Sequence, residues 1–334
     1  MRAIVITENS QCDISPLTTR TPYALLPLAG KSILVHALET LHRSSVREVD
    51  VVASNLHDEL KAAVGTASLP RMRLRFMTEC PDLRDSPGLS LLIGLSDLFD
   101  VDWYELVESL GVVKVHHLIP SMLMVRSTNV ALLTPPFFSE PVSSDWNEIE
   151  QIEAVPVQLP VPPDHLGPIN SFAAYCRANF HILRDKFKYL KVSGRKFTSG
   201  YHVGSKSKLH EDSLGSSCGY VGSDCRIEKS ACLSGDVVIG DKVVIAKGAH
   251  VSDSIIFDNT YIGANLDCRN SIVDGNLLIR VDTGACLESE DPVLFGSVAS
   301  LRELKRTGPP QAFDCPIGPA KLMSRPRHSE KLWH

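Results

Sequence analysis

From Val221 onward an aliphatic or aromatic residue returns every six positions: Val221, Ile227, Leu233, Ile239, Ile245, Val251 and Phe257. Across two five-residue steps the series continues through Ile262, Cys268, Val273 and Ile279. Four residues after many of these anchors stands a second small or branched apolar residue, as at Ala231, Val237, Val243, Ala249 and Ile255. Such hexads predict a left-handed parallel β-helix, in which each six-residue side of a triangular coil turns its anchor inward and three sides complete one turn. Residues 221 to 287 supply between three and four turns, in a domain placed at 219–290. In "VVIGDKVVIAKGAHV" glycine and aspartate stand at the corners, where unusual backbone angles are expected. An antiparallel meander is the alternative.

The first half of the chain has a different rhythm. "RAIVIT" is a short β-branched run suited to a buried strand, and "GKSILVHALETLHRS" sets Ile33, Leu34, Ala37, Leu38 and Leu41 at helical spacing. "REVDVVAS" predicts a second strand, "LHDELKAAVG" a helix closed by Gly65, and "RMRLRFMTE" a third strand. Strand alternating with helix predicts a parallel sheet with right-handed crossovers. Beyond Pro87, "GLSLLIGLSDLF" reads as a further helix, and "SMLMVRS" as a strand.

The α/β domain is placed at 1–155, with a linker and connecting helix at 156–218. "VPVQLPVPPDHLGP" is too rich in proline for a helix or a central strand. In "INSFAAYCRANFHILRDKF" the residues Phe172, Cys176, Phe180, Leu183 and Phe187 form one apolar stripe, while 191 to 218 reads as polar loop. The segment 291–334, whose last part carries scattered prolines, is expected to be a flexible tail opened by a brief helix.

Composition narrows the function classes. A net charge of −5 and an isoelectric point near 6.2 give no general attraction to nucleic acid or anionic membrane. The apolar runs fall short of the roughly 20 residues that cross a bilayer, and the start lacks the three-part pattern of a secretory signal. Nine cysteines without a C-x-x-C pair suit reduced thiols in a cytoplasm. Cys218, Cys225 and Cys232 recur every seven residues, a spacing that fits no zinc ligand pattern.

"PLTTRTPYALLPLAGKSILVHALE" resembles the P-L-T-x-x-x-P-K-x-L-L-P-V-x-G-K-P-x-x-x-H-x-L-E signature of the sugar-1-phosphate nucleotidyltransferases, the nucleoside-diphosphate-sugar pyrophosphorylases. "YCRANFHIL" is similar to the Y-L-x-A-N segment of the helix that leads toward their C-terminal coils. The mannose-1-phosphate guanylyltransferase-like and glucose-1-phosphate thymidylyltransferase-like members share this layout. The resemblance implies a reduced Rossmann-like nucleotidyltransferase domain followed by the β-helix.

It also implies where a site should lie, and there the residues depart. In the family the first strand ends in G-G-x-G-T-R-L, whose amides approach the nucleotide phosphates and whose arginine stabilises the charge of transfer. Counting back from Pro16, Glu8 and Asn9 take the first two glycine positions, Gln11 the third, Cys12 the threonine and Asp13 the arginine. Each carboxylate near a triphosphate would oppose it by about 1 kcal/mol or more. The P-K lysine is Tyr23, whereas Lys31 keeps the G-K-P lysine. The F-L-V-L-N-G-D strand, whose aspartate holds magnesium, reads as deleted, leaving Asp100 and Asp102 as displaced candidates. His165 falls near the place of a later family aspartate.

The expectation is therefore a non-catalytic homologue that regulates or scaffolds nucleotide-sugar or polysaccharide synthesis. It would need no cofactor and would act as a homo-oligomer or beside an active nucleotidyltransferase or polysaccharide enzyme, with a nucleotide sugar as possible ligand. Neither nucleic acid nor membrane insertion is expected. One alternative is an active, magnesium-dependent nucleotidyltransferase with a divergent site. Another is a hexapeptide-type acyltransferase with His250, the only histidine in the repeat, as general base.

Overall fold

A computed structural model describes residues 1–8, 14–55, 57–65, 69–81, 90–95, 100–105, 122–125, 130–133, 155–157, 168–196, 200–215 and 218–307. The chain divides into two compact units, Met1–Ser193 and Gly194–His334. The expected connector 156–218 is shared between them.

In the first unit the strands are β1 (Arg2–Ile6), β2 (Glu48–Val52), β3 (Arg73–Met77), β4 (Ser90–Gly94), β5 (Met122–Val125), β6 (Val130–Leu133) and β7 (Val155–Val157). They form one mixed sheet in the order β3-β2-β1-β4-β6-β5-β7. The first four strands are parallel, β6 runs antiparallel to β4 and β5, and β7 is parallel to β5. The helices are α1 (Ile33–Arg43), α2 (His57–Gly65) and α3 (Phe172–Leu183). Ser32 and Ser171 cap α1 and α3, each hydroxyl accepting an N–H three residues on, from Val35 and Ala174.

One expectation fails here. "SLLIG" is strand β4 rather than helix: all five residues are buried beside β1, so the run shows no alternation to distinguish it from a buried helix. "VPV" is a strand, with Pro156 on the sheet's edge, where a missing N–H is tolerated. On α3 the buried stripe is Tyr175, Cys176, Ala178, Asn179, Ile182 and Leu183, which turns Phe172 and Phe180 to half-buried positions.

The second unit is a three-sided coil. Its first face stacks Tyr201–Val203, Gly219–Val221 and residues 237–239, 254–256 and 271–273 in parallel. The second stacks Arg226–Ile227, Val244–Ile245 and Thr260–Ile262, and the third stacks residues 232–234, 250–252 and 267–269. Inward columns follow directly: Val221, Ile239, Ile256 and Val273; Ile227, Ile245 and Ile262; Leu233, Val251 and Cys268.

The coil begins eighteen residues before Val221, at Tyr201–Val203, in what reads as polar loop. Leu209 and Leu214 pack against its core, but polar neighbours hide their period. The column residue above Ile239 is Ile256, not Phe257. Gly235 and Asp236 form a bulge opposite Asp253, and this shortens the next rung from eighteen residues to seventeen.

At one corner the glycines serve close approach. A Cβ on Gly222 or Gly240 would stand 2.4 or 2.2 Å from the carboxylate oxygen of Asp241 or Asp258 in the next rung. Those oxygens accept N–H groups from Ser223 and Asp241, both at 2.7 Å. The positive φ angles at this corner fall instead on Asp224, Lys242 and Asn259.

Both ends of the stack reverse direction. Arg195–Lys196 is antiparallel to Tyr201–Val203 at one end, and Ser271–Asp274, Leu277–Arg280 and Cys286–Glu288 form an antiparallel meander at the other. Ile279 thus belongs to a hairpin rather than to a further rung. Phe295–Ser297 then pairs antiparallel with Thr260–Ile262 and runs into a helix, Val298–Thr307, in the region expected to be a flexible tail.

Candidate functional site

Strand order around β1 reverses: the chain passes outward through β2 and β3, then returns to β4 on the opposite side of β1. In open parallel sheets ligands bind beyond the carboxyl ends of the strands at such a point. Glu8 follows β1 there. Its Oε1 accepts the Ser54 N–H at 2.8 Å and also the Ser54 hydroxyl, from just beyond β2. A carboxylate thus satisfies both donors beyond the carboxyl ends of β1 and β2. Asn9, Gln11, Cys12 and Asp13 lie outside the described residues.

The other expected side chains also answer to the scaffold. Lys31 closes a short hairpin, Pro27–Leu28 with Lys31–Ser32, and its Nζ lies 2.7 Å from the Glu39 carboxylate, each side chain 17% exposed. Tyr23 opens a single 3-10 turn, Tyr23–Leu25, and is half-buried. Asp100 is buried, its carboxylate accepting the backbone N–H groups of Lys188, Tyr189 and Leu190, the last at 2.8 Å. Asp102 caps the start of the next helical turn, accepting N–H groups of Tyr104 at 2.9 Å and Glu105 at 3.3 Å. Trp103 anchors that turn to α1, its indole N–H donating to Thr40 Oγ1 at 3.3 Å. His165 lies outside the described residues.

The Y-x-x-A-N segment finds its physical reason in the same hairpin. Asn179, fully buried, accepts the Ala29 N–H at 2.8 Å, and the Tyr175 hydroxyl donates to the Pro27 carbonyl. Ser193 donates its N–H to the Ala29 carbonyl at 3.4 Å. Ala29 and Gly30 both hold positive φ, so the turn needs these clamps to keep Ala29 in place. His36 on α1 is wholly buried with Nε2 at 2.8 Å from the Leu28 carbonyl, and burial pushes its pKa down to about 4.

One residue escaped the sequence reading. β4 is a strand, and set as one, "LLIGLSD" matches in length the F-L-V-L-N-G-D pattern of the resembled family. Asp97 then falls opposite the aspartate of that pattern; it lies outside the described residues. The signal that could have found it is the seven-residue pattern itself, read as strand.

In the coil, His250 faces outward on the third side. Its Nε2 is 2.8 Å from Ser234 Oγ and its Nδ1 is 3.3 Å from Arg269 Nη2, while Asp267, 3.6 Å from Nδ1, is held by Arg269 Nε at 2.8 Å. Facing Arg269, which only donates, Nδ1 accepts; facing Asp267 it donates, and Nε2 then accepts from the Ser234 hydroxyl. Cys225 is buried, Cys218 half-buried and Cys232 exposed, so the seven-residue series does not converge. Among the described residues no cluster of three or more His, Cys, Asp or Glu could hold a metal ion. No helix among them is long and apolar enough to cross a membrane.

Residues 202–291 match the model of the GlmU-like, C-terminal hexapeptide family. The coil is a hexapeptide-repeat unit. That relationship implies the left-handed sense of winding. A glucose-1-phosphate thymidylyltransferase of Streptomyces griseus is 26% identical over 83 residues, which is 25% of this chain. The match spans 23% of that relative's length, so the similarity is partial.

Proposed function

We propose that the chain is a non-catalytic relative of the sugar-1-phosphate nucleotidyltransferases. In this role it regulates or scaffolds nucleotide-sugar or polysaccharide synthesis in the cytoplasm, beside an active nucleotidyltransferase or polysaccharide enzyme. The observation that supports this most is Glu8, a carboxylate fixed by Ser54 at the strand edge where the resembled enzymes present glycine amides to phosphate. Asp13 and Tyr23, standing where those enzymes carry arginine and lysine, act in the same direction. An anionic edge raises the energy of the triphosphate and of the charge that builds up during transfer. A nucleotide sugar, with less charge to oppose, is the better-suited ligand.

The test is magnesium-dependent pyrophosphate release, assayed with each nucleoside triphosphate and common hexose-1-phosphates. No release is expected, and turnover above roughly 0.1 per second, below the ordinary enzyme range, overturns the proposal. Asp97 favours a second reading, an active enzyme with a rebuilt phosphate cradle, because an aspartate at the metal position is what such an enzyme must retain. The two separate on Asp97→Asn, which abolishes turnover only in the second.

A further inference from the structure

The outer edge of the α/β sheet carries more positive charge than its neighbours balance. β3 is the last strand and pairs only with β2, in parallel register from Arg73 opposite Glu48 to Met77 opposite Val52. The Arg73 N–H donates to the Arg47 carbonyl at 2.7 Å, and the Met77 carbonyl accepts the Ala53 N–H at 2.9 Å. In a parallel ladder alternate residues face the neighbouring strand, so Arg73, Arg75 and Met77 direct their backbone groups to β2. Leu74 and Phe76 turn theirs away from the sheet, where no described residue meets them.

The side chains alternate as well. Arg73 and Arg75, 74% and 51% exposed, share one face with Glu48 and Asp50. Leu74 and Phe76, both half-buried, lie on the other, where Lys61 Nζ stands 5.9 Å from the Phe76 ring. On the arginine face one buried carboxylate, Asp50, serves both Arg2 and Arg75, while Glu48 serves Arg73 at 2.9 Å. Arg47 and Arg71, both exposed at the start of the β2–β3 ladder, have no ion-pair partner among the described residues. Arg2, Arg47, Arg71, Arg73 and Arg75 are thus balanced only by Glu48 and Asp50, in a chain whose net charge is −5.

We propose that β3 is a docking edge for an extended acidic segment of a partner protein, which adds to the sheet as a further strand. Its N–H and carbonyl groups pair with those of Leu74 and Phe76. Its carboxylates stand opposite Arg73 and Arg75, and its apolar side chains lie beside Leu74 and Phe76, as cross-strand pairing favours. A charged edge also deters unwanted pairing, but charge of a single sign repels one class of strand and admits another. A second copy of β3, laid antiparallel with the arginine faces together, would set Arg73 against Arg75. Charge therefore rejects the chain's own edge and selects an acidic one.

Nothing in this inference depends on the nucleotide site, and its test uses no nucleotide. The full chain is titrated with two synthetic peptides, one alternating glutamate with valine and one alternating lysine with valine. Fluorescence anisotropy at low salt should show the glutamate peptide binding with a Kd below about 1 mM and weakening as salt rises, with no binding of the lysine peptide. Bound glutamate peptide should slow hydrogen exchange at the Leu74 and Phe76 amides. Arg71→Glu with Arg73→Glu should weaken the glutamate peptide at least tenfold and admit the lysine peptide, with the melting temperature as the check on folding. Leu74→Pro removes an outward N–H without breaking a bond to β2, and should weaken binding with the charge unchanged. Absence of binding to wild type, equal binding of a peptide with its glutamates and valines in separate blocks, or binding that leaves the two amides unprotected would each overturn the proposal. The exchange measurement needs only wild type, so it decides even where a variant fails to fold.

Discussion

The coil and the strand edge at Glu8 use their residues in opposite ways. In the coil each role recurs: Ile227, Ile245 and Ile262 occupy one column, and Asp241 and Asp258 accept an N–H from the rung before. In the α/β unit the described polar groups each have a partner of their own, Glu8 with Ser54, Lys31 with Glu39, Asp100 with three amides. A repeated role preserves the fold even where one rung loses a residue. A single-use site can lose its chemistry while its side chains find new work in the scaffold.

The largest expected effect tests the first half of that contrast. Ile245 is fully buried between Ile227 and Ile262, and Ile245→Ala should cost the coil about 4 kcal/mol, since columns above and below cannot collapse into the gap. Denaturant unfolding followed by far-ultraviolet dichroism reads it, and a loss under about 1 kcal/mol would mean that the column is loosely packed.

The next effect belongs to the α/β unit. His36 stays neutral when folded, with a pKa near 4 against an ordinary 6.5, so the unfolded chain takes up a proton first as pH falls. Its contribution to stability is complete above pH 6.5 and declines toward pH 4, about 3 kcal/mol in all. His36→Gln keeps a donor for the Leu28 carbonyl and should flatten the acid slope between those limits; an unchanged slope would assign it to other groups.

A smaller effect sharpens the account of the edge. Glu8→Gly with Asp13→Arg should tighten nucleotide binding about tenfold by calorimetry, roughly 1.4 kcal/mol. On the reading in which Asp97 holds magnesium, any turnover gained by that variant should vanish on adding Asp97→Asn. Unchanged binding would mean that the strand edge is closed to nucleotides.

The smallest effect concerns thiols. Burial pushes Cys80, Cys176 and Cys268 up to about 12 and Cys225 up to about 11, whereas Cys232 is exposed. Of these five, Cys232 should take up iodoacetamide first in the native protein, and mass spectrometry finding Cys176 labelled ahead of it would contradict the packing of α3.

What could be foreseen depended on whether a residue's partner lies close in sequence or recurs at a fixed interval. The hexads were legible because one constraint repeats at each side of the coil. The slip at Gly235–Asp236 was not, because adding a residue at a bulge or removing one at the next corner leaves the local pattern almost the same. Strand β4 was misread since a fully buried strand lacks alternation, and Asp97 was lost with it. Asp100 looked like a spare carboxylate because the amides it caps are 88 to 90 residues away. The departure of residues 8 to 13 from the glycine-rich pattern of the resembled family was plain from the spacing to Pro16, but Ser54 as the partner of Glu8 came only from the structure.

The reversed strands that end the coil have a consequence for solubility. A stack of parallel rungs is a template: its last strand offers evenly spaced, slanted donors and acceptors to any further strand running the same way. Left bare at both ends, such molecules could add to one another rung upon rung and grow into fibres. Arg195–Lys196 at one end and Phe295–Ser297 at the other replace that edge with a short reversed strand whose hydrogen-bonding rhythm does not match the coil. The polarity change works as a terminator, so the length of the stack is fixed by the chain and not by its concentration.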